Sequence, residues 1–256
     1  VLFAFLTGHL LNHAFGVVSI AAAESALRAF YAIWGNPVSA AILALAFAAH
    51  IAAALIGLYR RRTLRLRGWE LAQTVLGFLI PVLLVGHVVG TRVAAEVHGV
   101  GVGYAPILLA YWGGDPVAGS LHAAVVLIAW AHGCIGLRFW LLTRTWFPGW
   151  RTPAAMAAFV LPAMALAGYV SAGAELRRAL AADPLLADAI LAASNRTAEI
   201  QAWGAEVTQA SQLAFLGAIA AVLLARRVRE IRHRRVGAPV IRYGGDRTIQ
   251  VPPGAT

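Results

Sequence analysis

Seven of the eight histidines fall within or beside long apolar runs: His9 and His13, His50, His87 with His98 just past it, and His122 and His132. An imidazole inside a bilayer is costly to keep, which makes each one a functional candidate, and two that face each other can hold a haem iron from both sides. The plainer reading is that each histidine hydrogen-bonds a neighbouring helix. Their confinement to four consecutive runs, with none in the last two, argues for a shared task instead. Zinc or non-haem iron would need ligands converging in one coordination sphere, usually with a carboxylate, and no run interior holds Asp or Glu. A proton-coupled transporter would show broken helices and midplane carboxylates, and these are missing as well.

Depth sorts the histidines into pairs. His50 lies nine residues before Tyr59 and His132 eleven before Thr143. At 1.5 Å per helical residue both sit about 14 to 16 Å above the same boundary. In an up-down-up-down bundle their helices are diagonal neighbours, so the two imidazoles can clamp one iron porphyrin. The other diagonal offers His87, about 9 Å below the opposite boundary, and either His9 or His13, which are four residues apart on one helical face. Two pairs at different heights are the plan of a di-haem cytochrome b, with an electron path across the membrane. Gly8, Gly86, Gly90, Gly133 and Gly136 flank these histidines, where they would let a macrocycle, or simply another helix, approach closely. His122, ten residues before His132 and so about 80° round the helix, reads as an interfacial histidine, with a propionate or quinone contact as its functional alternative.

The elements that must position these residues are membrane spans. Of 256 residues, 60% are hydrophobic and 12% charged, with a mean hydropathy of +0.73. An ordinary soluble domain carries roughly 25% charge. Six apolar runs, at about 1 to 20, 37 to 59, 71 to 93, 119 to 142, 155 to 174 and 207 to 225, approach the ~20 residues a spanning helix needs. The fold expected is an all-α membrane protein of six transmembrane helices: a four-helix di-haem core plus two more, with Pro81 and Pro162 kinking their spans. The single Cys134 lies inside a run, so no disulfide can form within the chain. Val1 opens inside an apolar stretch without Met or a signal-peptide pattern, which reads as a fragment whose N-terminus lies upstream.

The net charge of +10 would suggest nucleic acid were it not for where the charge sits. All 21 basic residues are Arg, and sixteen of them lie at Arg60, Arg61, Arg62, Arg65 and Arg67, at Arg138, Arg144 and Arg151, and in the tail from Arg226 to Arg247. The opposite connections hold Arg28, Arg92, Arg177, Arg178 and Arg196 with eight acids, among them Glu24, Glu96, Asp115 and Glu175. The positive-inside rule makes the Arg-rich side cytoplasmic, together with both termini. Residues 21 to 36 and the Gly-rich 94 to 118, with Tyr104, Tyr111 and Trp112, would shape an outer lid. Residues 175 to 206 form the longest outer connection, with a short helix after Asp183-Pro184. Past Gly237-Ala238-Pro239, the stretch Val240-Ile241-Arg242-Tyr243, Gly244-Gly245-Asp246, Thr248-Ile249-Gln250-Val251 reads as a β-hairpin opening a soluble module.

The segments Gly8 to Asn12, Ala49-His50-Ile51-Ala52-Ala53-Ala54, Gly77-Phe78 through Val85-Gly86-His87, and His132-Gly133-Cys134-Ile135-Gly136-Leu137-Arg138 resemble the di-haem cytochrome b anchors of bacterial fumarate reductases and succinate:quinone oxidoreductases. The likeness covers about residues 1 to 145. It implies two haem b groups, the cytoplasm-proximal one held by His50 and His132 and the distal one by His9 and His87, with His9 taken over His13. The chain departs from that pattern by lacking a helix between spans 2 and 3 and by carrying two His-free spans at the end.

Those departures are similar to a narrower group, the six-helix anchors of certain bacterial class III adenylyl cyclases. Thr7-Gly8-His9-Leu10-Leu11-Asn12-His13, Leu58-Tyr59-Arg60-Arg61-Arg62, His87-Val88-Val89-Gly90-Thr91-Arg92 and Trp130-Ala131-His132-Gly133-Cys134-Ile135-Gly136 carry the likeness. It implies a di-haem membrane domain over 1–238, the first hairpin of a ferredoxin-like module over 239–256, and a [2Fe-2S] cluster and cyclase domain farther along the parent chain. The expected function is a redox-sensing domain in the bacterial inner membrane that exchanges electrons with quinone and regulates an attached adenylyl cyclase as a homodimer, the fragment itself making no cAMP. The alternative is a respiratory electron-transfer anchor of the succinate dehydrogenase or fumarate reductase type. Lipid and quinone are the expected partners.

Overall fold

A computed structural model of the chain describes residues 1–113, 116–236, 240–243 and 247–250. Asp115, the helix stop expected at 237–239, the turn expected at 244–246 and the stretch 251–256 lie outside the described residues. The helices are α1 (Leu2–Ala14), α2 (Ile20–Trp34), α3 (Pro37–Arg60), α4 (Gly68–Val88), α5 (Ala94–His98), α6 (Tyr104–Trp112), α7 (Pro116–Leu141), α8 (Arg151–Ala182), α9 (Leu186–Ala193) and α10 (Ala198–Val236). Strands β1 (Val240–Tyr243) and β2 (Arg247–Gln250) pair antiparallel, with Val240 opposite Gln250 and Tyr243 opposite Arg247.

Local signals account for the helix boundaries. Ser19 Oγ accepts from the Ala22 amide at 3.0 Å to start α2, and Asn36 Oδ1 accepts from the Ser39 amide at 2.9 Å to start α3, with Pro37 in the first turn. Gly99, at φ +64°, closes α5 in the left-handed conformation that costs glycine little.

Among the described residues five stretches are long and apolar enough to cross a membrane: Pro37–Arg60, Gly68–His98, Gly119–Leu141, Phe147–Ala182 and Ala198–Arg232. The chain is a multi-pass helical membrane protein. Its outward faces carry Val38, Ile42, Leu45 and Phe47 on α3, Met156, Phe159 and Val160 on α8, and Leu213, Leu216 and Leu224 on α10, all exposed. Water would penalise such a belt, whereas lipid solvates it. The first run departs from the expected span. Its apolar helix covers Leu2–Val17, counting the tight turn Phe15–Val17, and is shorter than the ~20 residues of a full crossing.

The packing also differs from a four-helix core with two helices appended. α8 packs closely on α1 and also against α7, while α10 packs on both α3 and α4. Among the described residues α3 forms no packed interface with α4 or α7. The two His-free helices are therefore built into the bundle, α10 standing between the helices that carry His50 and His87. Small residues make this possible at α1 and α8. A Cβ at Gly16 would come within 2.5 Å of the Gly168 carbonyl oxygen, and one at Gly168 would run into the His13 carbonyl. One buried cluster, Leu10, Val126, Trp130 and Ala165, joins α1, α7 and α8. A second, Ala23, Tyr104, Leu108, Tyr169, Ala172 and Leu176, seats α2 and α6 on α8 at the end opposite the Arg-rich connections. Within the segments expected to form a lid, α2, α5 and α6 are helical, and α2 and α6 pack on α8.

Candidate bis-histidine sites

The side chains of α3 and α7 meet at His50 and His132. Their ring centroids are 5.8 Å apart and the rings nearly perpendicular, at 84°. An iron with an imidazole nitrogen about 2 Å away on each side, the usual metal–imidazole distance, would place two such rings roughly 6 Å apart. His132 is oriented from behind. Its Nδ1 lies 3.0 Å from the Gln73 carbonyl oxygen of α4, a contact that makes Nδ1 the donor and leaves the Nε2 lone pair available, as in many metal-ligating histidines. Gly77, one turn along α4, allows this approach. A Cβ there would sit 2.7 Å from His132 Cε1.

A cavity of about 240 Å³ adjoins the pair, lined by α3, α4, His132 of α7 and Phe215 of α10. It lies where α3 and α4 do not pack together, and His50 is exposed in it. Among the described residues no three His, Cys, Asp or Glu side chains are grouped to hold a metal ion, so a metal here must bring its other ligands. A macrocycle does that. The volume falls below the ~300 to 1,000 Å³ of ordinary small-molecule pockets, and a porphyrin would extend through the open side. Donor set, spacing and open cleft fit the group.

The second pair lies about 15 Å away along α4, ten residues on from Gly77. His9 and His87 have ring centroids 5.9 Å apart at 60°, and the Nδ1 atom of each is buried without a hydrogen-bond partner. The donor spacing again fits two axial imidazoles, here inside a dense aromatic shell. His9 Nε2 is 3.2 Å from His13 Nε2, and Phe5 and Phe30 flank the His9 ring. His13 faces the other way through Nδ1, 2.9 Å from the Tyr104 hydroxyl, to which Asn12 Nδ2 donates at 2.8 Å. Glu24 accepts from the Tyr104 amide at 2.6 Å and ties α6 to α2. Burial raises the Tyr104 phenol above its ordinary pKa and pushes Tyr111 up to about 12.

His122, expected near the outer surface, is covered by α6. It is buried, stacked on Tyr111 at 4.2 Å, with its ring 4.9 Å from that of His87. His98 stands apart, its ring edge-on to Trp203 at 4.4 Å. The helical rotation between His122 and His132 was legible in the sequence, but the fold of α6 over α7, which buries His122, was not. The same holds for Asn12, Tyr104 and Tyr111, whose local sequence shows no metal-site pattern. Of the glycines beside the histidines, Gly133 and Gly136 serve close packing, since a Cβ there would press on Phe3 at 3.0 Å and on Gln73 at 3.1 Å; one at Gly8 or Gly86 would make ordinary contact with Phe30 or Thr208, and one at Gly90 would meet nothing within 4 Å.

α4 changes pitch immediately after His87. Residues Val89–Val93 form a wider π-type turn, a device often found at functional sites. The Gly90 carbonyl there accepts from Arg196 Nη1 at 2.9 Å, and Gly101 accepts from Nη2 at 3.3 Å, so Arg196, just before α10, clamps the segment beyond His87. Two further ties run along α10: Gln212 Nε2 donates to the Val82 carbonyl at 2.7 Å, and Arg226 donates to the Arg61 and Arg62 carbonyls, each at 3.0 Å. Comparison of the chain with protein-family models, with curated proteins and with solved structures returns no match.

Proposed function

We propose that this chain is a di-haem b membrane domain that exchanges electrons with quinone and reports its redox state to an attached adenylyl cyclase. The observation that carries the reading is the pair of cross-bundle imidazole contacts, His50 to His132 and His9 to His87, at nearly equal spacing and at two depths. In this reading the Leu2–Val17 helix is the first of six spans, the Arg-rich end faces the cytoplasm of a bacterial cell, and residues 239–256 open a ferredoxin-like module leading to a [2Fe-2S] cluster and a paired catalytic domain.

Bound haem supplies one-electron exchange at the two sites. The chain's own residues do the rest. His50 and His132 hold one group and His9 and His87 the other. The Gln73 carbonyl fixes the tautomer of His132, and the Tyr104–Asn12–His13 network holds α1, α6 and the outer site in register. α10 is placed to transmit a change. It is tied to the π-type turn beyond His87, to the middle of α4 and to the C-terminal end of α3, and it runs on unbroken to Val236, four residues before β1. A coupling of ~1 to 3 kcal/mol between redox state and bundle arrangement would alter output about 5- to 150-fold.

The test is cyclase activity of the full parent protein in liposomes with the quinone pool held oxidised or reduced. Wild type should respond to the pool, and His50→Ala and His87→Ala should abolish the response. Equal activity in both states, with the haems loaded and responding spectrally, would contradict a signalling role and leave the respiratory anchor.

A further inference from the structure

The cavity beside His50 and His132 has apolar and polar walls. Ile51, Ala54, Leu58, Phe78, Pro81 and Phe215 make the apolar ones, and Arg61, Gln73 and Thr74 add polar groups. Among the described residues that line it, Arg61 alone carries a formal charge. It stands at the C-cap of α3, eleven residues and about 16 Å along the axis from His50. Side chains on a helix lean toward its N-terminus, so a guanidinium at this end reaches back into the cavity.

Local contacts leave Arg61 available. Its carbonyl is held by Arg226 Nε at 3.0 Å, which fixes the backbone, while its side chain has a loose, exposed ion pair with Glu70 at 3.6 Å. Such a pair contributes little and yields to a better-placed carboxylate. Gln73, which also lines the cavity, has a buried Oε1 without a partner. Arginine's planar fork matches a carboxylate with two hydrogen bonds, which a compact ammonium does not.

We infer that Arg61 is the anchor for the carboxylate edge of the tetrapyrrole held by His50 and His132, and so orients that group with its acidic edge toward the Arg-rich end. This rests on the haem reading above and adds to it a residue and an orientation. Arg61 is a positioning residue. It touches no iron and transfers no electron, but selects a planar ligand with acids on one edge over its neutral counterpart.

The experiment uses the purified chain in a His87→Ala background, which leaves the His50–His132 pair, prepared free of haem and titrated with ferric protoporphyrin IX or with its dimethyl ester. Uptake is read from the low-spin absorption band. The diacid should bind at least tenfold more tightly than the diester. Arg61→Gln should weaken diacid binding about tenfold and leave the diester unchanged, and Arg61→Lys should restore part of the loss. Glu70→Gln, which removes the competing carboxylate while keeping Arg61, should tighten the diacid alone. Equal affinity for diacid and diester in the unsubstituted Arg61 protein, or no change in Arg61→Gln, would overturn the assignment while leaving the bis-histidine site standing. Failure of both porphyrins to bind would overturn the haem reading and this inference with it.

Discussion

His132 shows how much of a site one side chain can hold. Its position opposite His50 depends on a backbone carbonyl from a third helix, Gln73, and on the missing side chain at Gly77. If His50 and His132 hold one haem, as proposed, His50→Ala and His132→Ala should each remove the same component of the reduced-minus-oxidised spectrum, and Gly77→Ala, which pushes a methyl toward His132 Cε1, should shift that component. His9→Ala and His87→Ala should act together on the other. Loss of different components from His50→Ala and His132→Ala would contradict the pairing. The level match of His50 and His132 was readable from residue counts, because helical rise converts sequence position into depth. The role of Gly77 was not, since nothing along α4 tells which glycine faces an imidazole three helices later. The aromatic shell of the outer pair escaped for a related reason: Tyr104 and Tyr111 reach His13 and His122 only after α6 folds back over α7 and α8.

Helices α1 and α8 illustrate the next scale. Hydropathy located both, yet their closeness comes from two glycines, Gly16 and Gly168, whose backbones meet where any side chain would collide with a carbonyl. Gly168→Ala should therefore cost more than an ordinary surface change, about 1 to 3 kcal/mol by the usual cost of overpacking. Thermal unfolding in detergent, followed by the aromatic signal of nearby Trp130 and Tyr169, would register the loss. An unchanged midpoint would mean that the helices separate freely and that the outer site does not depend on their contact. Sequence reading expected the two His-free spans as additions to a four-helix core. Their apolar faces gave no sign of partner choice, because lipid and helix solvate such faces about equally. The polar exceptions decide it: Gln212 and Arg226 on α10, with Arg196 just before it, each find a carbonyl of the α3 or α4 region.

For the molecule as a whole, composition and hydropathy made the membrane class plain, and among the described residues five helices are long and apolar enough to cross. The functional reading depends on something hydropathy cannot supply, namely that imidazoles from unpacked helices converge in two places about 15 Å apart. In the proposed reading these two places are the ends of a transmembrane electron path, and α10, which runs to Val236, is its output. Haem stoichiometry of the purified chain, measured by pyridine haemochrome against protein concentration after full loading, tests this most directly. Two haem b per chain is the expected value; none, or a saturating value of one, would contradict it.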